Sequence, residues 1–65
     1  MKVREVQDRV ALIAAMTGDE EAAHSAEDNL HADVLRAIAD GARNGRALAR
    51  EVLKTEDLDF RRWCA

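Results

Sequence analysis

Proline is absent from this 65-residue chain, and glycine, aromatic side chains and cysteine are scarce, at three, two and one residues. The single cysteine, Cys64, excludes an internal disulfide and is typical of a reducing compartment. The longest apolar run, from Val10 to Met16, is far shorter than the ~20 residues of a membrane-spanning helix. The first ten residues mix charges without the apolar core of a signal peptide. We therefore expect a cytoplasmic protein with no membrane partner.

The residues that are present favour helix. Thirteen alanines, with 48% hydrophobic and 35% charged residues, indicate a folded helical chain. A chain of this length hides only roughly 60% of its surface, which excludes a large enzyme with a deep cleft. We predict one all-α domain over 1–65, a small bundle of three to four helices with a long central second helix. No catalytic residue and no cofactor are predicted.

Apolar spacing and end signals predict the first two helices. Apolar residues three and four apart predict a helix over about 3–16. Thr17 and Glu20 have the spacing of a capping box, which predicts a second helix from about Asp19 to Asp40, ended by Gly41. One face of that helix is predicted to be buried, and it consists of Ala23, Ala26, Leu30, Val34 and Ala37.

The remaining helices follow a glycine-rich loop over 41–45. Asn44 is a candidate cap for a third helix over about 45–54. Thr55 is a candidate cap for a short fourth helix over about 56–63, where Glu56 would favour the positive end of the helix dipole.

The net charge of −3 is unevenly distributed. Residues 17–40 carry one basic and seven acidic side chains, so this band has a net charge of −6. An acidic band suits a basic partner. We therefore predict a non-enzymatic protein-interaction module that forms a homodimer and binds a basic protein partner. The residues predicted to contact that partner are Glu20, His24, Glu27, Asp28 and His31.

Two acid-x-x-His steps within this band suggest a metal alternative. Glu21 precedes His24 by three residues, and Asp28 precedes His31 by three. The two histidines are about 10.5 Å apart along one helix, so a single ion cannot bind both. A metal site at His24 or His31 would have to form between chains, and no metal is included in the leading prediction.

Residues 34–53 read VLRAIADGARNGRALAREVL. This segment resembles the start of the helix-turn-helix unit of bacterial winged-helix repressors. The resemblance implies that the following helix, from Thr55 onward, would enter the major groove. The alternative function is therefore a small DNA-binding regulator, although Glu56 and Asp57 would face phosphates and make nucleic acid the less favoured partner. Its candidate contacts are Arg43, Arg46, Arg61 and Arg62. Alternatively, the leucines and isoleucine here form only a helical core, with Leu35, Ile38, Leu48, Leu53 and Leu58 as its members.

The chain as a whole resembles small uncharacterised helical proteins of actinobacteria and their phages. The likeness lies in residues 18–24, 27–31 and 58–65, and in the use of eight arginines against two lysines. It implies cytoplasmic expression and an accessory or host-modulating role.

Overall fold

The computed structural model describes residues 1–16 and 18–58, and this part of the chain is all-α with no strand. The second helix is the longest, as predicted. None of the described helices combines the length and the apolar character needed to cross a bilayer. The helical elements in chain order are α1 (Val3–Ala14), α2 (Glu20–Ala39), α3 (Gly45–Val52) and a 3₁₀ segment (Leu53–Asp57).

Both ends of α2 are fixed by local hydrogen bonds. At the start, the Asp19 carboxylate accepts a hydrogen bond from the backbone N–H of Ala22 at 3.1 Å, so Asp19 is the cap. Thr17, the predicted cap, lies outside the described residues. At the other end Gly41 has φ +92°, and the N–H of Ala42 reaches the carbonyl of Ala37 at 3.0 Å. This Schellman-type ending confirms the predicted stop at Gly41.

The prediction of a fourth α-helix beginning near Glu56 is wrong within the described residues. After Val52 the chain tightens into the 3₁₀ segment, and Leu58 is extended, with ψ 136°. Thr55 does not cap a helix, because its hydroxyl donates to the Val52 carbonyl three residues earlier at 2.9 Å. Residues 59–63 of the predicted helix lie outside the described part.

Asn44 precedes α3, as predicted, but its side chain does not cap the helix. Its amide Nδ2 instead donates to the carbonyl of Met1 at 2.9 Å. This bond ties the start of α1 to the α2–α3 connection and leaves the first turn of α3 without a side-chain cap.

The described core receives apolar side chains from all three helices, and α1 contacts both α2 and α3. The predicted core face of α2 is confirmed at its centre, where Leu30 is fully buried. Removing such side chains from water is the main stabilising contribution in a domain of this size. The buried apolar residues are Val6, Ile13, Ala23, Leu30, Val34, Leu48 and Val52.

An ion pair joins α1 to α2 beside this core. A guanidinium nitrogen of Arg9 lies 2.8 Å from one carboxylate oxygen of Asp33, and Arg36 contacts the other at 3.0 Å. The hydrogen bond from Arg9 is the main reason that the pKa of Asp33 lies below its usual range. The pKa of Glu51 is also lowered, chiefly by its hydrogen bond from Lys54.

Acid is therefore expected to weaken the fold through Asp33. The pKa of Asp33 is lower in the folded chain than in the unfolded chain. The ion pair therefore stabilises the fold fully at pH values above the unfolded pKa. That contribution is lost as the pH falls from about 4 through the folded pKa. Asp33→Asn should have a smaller drop in urea midpoint between pH 6 and pH 3 than the wild type. Asp57→Asn, an exposed control, should keep the wild-type drop, and an unchanged drop in Asp33→Asn would contradict the assignment.

Candidate functional site

Five residues of α2 form a row that is separate from its core-facing side. They are spaced four, three, four and three residues apart, and at 3.6 residues per turn they span about 80° of the helix circumference. The amino-terminal half of the row is polar and the carboxyl-terminal half is apolar. We call this row the outer stripe: His24, Asp28, His31, Leu35 and Ile38.

The apolar half of the outer stripe forms one wall of a cleft. Leu53 and Ala49 stand on the opposite wall, Val34 and Val52 also line the cleft, and its volume is about 240 Å³. Leu35 is 66% exposed, Leu53 55% and Ile38 39%. Large apolar side chains that are exposed together around one cleft are typical of a binding surface.

The alternative in which the apolar residues of 34–58 form only a helical core is wrong for three of them. The exposed residues are Leu35, Ile38 and Leu53. Leu48 is fully buried and Leu58 is half-buried, as that alternative requires. The other three are exposed because the short α3 turns into the 3₁₀ segment and no further described element covers the cleft.

The polar half of the outer stripe lies one turn earlier. His24 Nε2 is 3.5 Å from a carboxylate oxygen of Asp28. Glu27 contributes a third ligating atom, and the three atoms lie within 4.8 Å of one another. One imidazole and two carboxylates form a donor set that can bind a divalent transition metal. Because all three belong to one helix, further ligands would have to come from water or from another chain.

His31 does not join this group. It is two helical turns from His24, and its Nε2 is 2.9 Å from the hydroxyl oxygen of Thr55. The structure thus brings His24 together with Glu27 and Asp28 and keeps His31 apart. The interchain metal alternative remains a prediction, with His24 as its better-placed histidine.

Glu27 differs from the other residues predicted to meet a basic partner. It is only 4% exposed, whereas Asp28 is exposed and Glu20, His24 and His31 are half-buried. Its position, four residues after Ala23 and three before Leu30, places it on the core face. Helical spacing could have shown this from the sequence. The described acidic surface near the stripe therefore depends on Asp28 rather than on Glu27.

The arginines of the DNA-binding alternative lie elsewhere. Arg43 and Arg46 are exposed and line a second, open cleft of about 410 Å³, together with Arg50. Arg61 and Arg62 lie outside the described residues. α2, a short turn and α3 follow one another in the described part of the chain. The recognition helix expected from Thr55 is wrong within the described part, where Thr55 is buried in the 3₁₀ segment.

No protein-family model, curated protein or solved structure matches this chain.

Proposed function

We propose that this protein is a non-enzymatic interaction module that binds an amphipathic, basic helix of a partner protein. The observation that carries the proposal is the exposure of Leu35, Ile38 and Leu53 around one cleft that continues into the outer stripe. A helix laid along such a cleft is anchored by apolar side chains three, four and seven residues apart.

The cleft supplies the affinity in this proposal. Burying an exposed leucine contributes about 1.5–3 kcal/mol, and Leu35 and Leu53 both have most of that area to lose. Side chains at the centre of an interface carry most of its binding energy. The two leucines line the cleft from α2 and from the 3₁₀ segment, and they are therefore the expected anchors.

The charges around the cleft determine which partner fits. Asp28 lies one turn before the cleft on the outer stripe, and Glu56 lines its other wall; both are exposed. Carboxylates at the edge of an interface accelerate the approach of a basic partner and disfavour an acidic one. The complementary segment thus carries leucine-like anchors flanked by lysine or arginine.

A pair of synthetic helical peptides tests this proposal. Both carry leucines at positions i, i+3, i+4 and i+7, with flanking lysines in one peptide and flanking glutamates in the other. Fluorescence anisotropy should show binding of the lysine peptide only. Truncating Leu35 and Leu53 together to alanine should weaken it by about tenfold or more.

Leu12 provides the matched control, since it is 62% exposed on α1 and does not line this cleft. Leu12→Ala should leave peptide binding unchanged, whereas Asp28→Lys with Glu56→Lys should reduce the association rate. Equal binding of both peptides would overturn the charge assignment. The wild type could instead prove to be a dimer that the Leu35 and Leu53 substitutions dissociate. That result would show that a second copy of the chain, not a partner helix, occupies the cleft.

A further inference from the structure

The described arginines fall into two groups. Three of the six pair with an aspartate, with nitrogen-to-oxygen distances of 2.8 to 3.0 Å: Arg4, Arg9 and Arg36. The other three are Arg43, Arg46 and Arg50, which we call the arginine triad. All three are exposed, none has a carboxylate within 4.0 Å among the described residues, and all line the open cleft of about 410 Å³.

The triad forms one row. Arg46 and Arg50 are four residues apart and therefore lie on one side of α3. Arg43 belongs to the turn before α3 and lines the same cleft. Arg46 and Arg50 are one helical turn, about 6 Å, apart along the axis. Like charges at this spacing repel each other and destabilise a helix. An anion bound between the guanidinium groups would offset that repulsion.

Among the described residues that line this cleft, Glu51 is the one acid, and it does not neutralise the triad. Glu51 is half-buried, and its carboxylate accepts a hydrogen bond from Lys54 at 2.9 Å. The first turn of α3 contains no acidic residue, and Asn44 leaves that turn uncapped. The positive end of the α3 dipole therefore adds to the field of the triad.

We propose that the arginine triad binds the phosphate backbone of nucleic acid without reading its sequence. Guanidinium groups form paired hydrogen bonds with phosphate oxygens, which makes arginine well suited to this contact. A row of three cations along an open cleft fits successive phosphates of a polymer better than one isolated phosphate. The cleft of the triad and the proposed protein-binding cleft share no lining residue, so the two proposals are tested by different substitutions.

Salt-dependent binding to a duplex tests the proposal. Anisotropy of a fluorescein-labelled 20-base-pair DNA of mixed sequence is measured with the full chain in 20–200 mM NaCl. Three phosphate contacts predict a slope of log K against log salt of about −2.7, at about −0.9 for each contact. The double substitution Arg46→Gln with Arg50→Gln should reduce the slope to about −0.9.

Arg4→Gln with Arg36→Gln is the matched control. It removes the same charge from side chains that are 80% and 74% exposed, but both of these already pair with aspartates. We expect this variant to keep the wild-type slope. Circular dichroism and melting temperature check that both variants remain folded.

Four results would overturn the proposal. One is the absence of an anisotropy change at 20 mM NaCl with 100 µM protein, and another is an equal loss of slope in the two double variants. Displacement of the duplex by inorganic phosphate at matched ionic strength would identify a site for single phosphates. Triad-dependent binding to phosphatidylserine vesicles but not to DNA would identify a membrane surface instead.

Discussion

Replacing Leu30 with alanine is expected to destabilise the domain by about 2–5 kcal/mol. Leu30 is fully buried at the middle of α2, in the cluster that joins the three helices. A chain of this length has a total stability of only about 3–10 kcal/mol, so this substitution should leave much of the protein unfolded at 37 °C. Urea titration followed by circular dichroism measures the change.

Leu35→Ala is the control for this prediction. It makes the same chemical change on the same helix, but Leu35 is 66% exposed, so its effect should remain within about 0.5 kcal/mol. Alanine is the better helix former, so helix propensity would act in the opposite direction to the expected loss at position 30. Similar losses in the two variants would contradict the assignment of Leu30 to the core and Leu35 to the binding surface.

The sequence predicted the helices well where the signals are local. Apolar spacing located α1, and Gly41 marked the end of α2, because a residue with φ +92° is strongly favoured to be glycine. The fourth helix was predicted wrongly, because Thr55 reads as a cap in sequence. Its hydroxyl instead donates a hydrogen bond to the Val52 carbonyl, three residues earlier. It also forms a hydrogen bond with Nε2 of His31, which is 24 residues earlier in the chain.

The candidate sites depended more strongly on tertiary structure. Asp28 and His24 could be assigned to one helix face from spacing alone. The exposure of Leu53 could not, because it depends on α3 ending at Val52 and on how the 3₁₀ segment lies against α2. Likewise, the sequence shows six arginines in the described part, but it does not show which of them form ion pairs with aspartates. The pair between Arg9 and Asp33, for example, connects two helices.

Thr55→Val is expected to cost about 1–3 kcal/mol, although valine has nearly the same shape. The Thr55 side chain is fully buried, and its oxygen lies 2.9 Å both from the Val52 carbonyl oxygen and from His31 Nε2. The hydroxyl has one proton, which it donates to Val52, so His31 Nε2 must carry the proton of the second bond. Valine would leave both of these groups without this partner.

Thr55→Ser distinguishes the contribution of the hydroxyl to stability from that of the methyl group. Serine retains both hydrogen bonds and loses one buried methyl, so we expect a loss of about 0.5–1.5 kcal/mol, smaller than for valine. His31→Ala combined with Thr55→Val should be less destabilising than the sum of the two single changes, because the residues share one bond. Additive losses in this cycle, or a valine variant more stable than the serine variant, would show that packing and not this bond holds the 3₁₀ segment against α2.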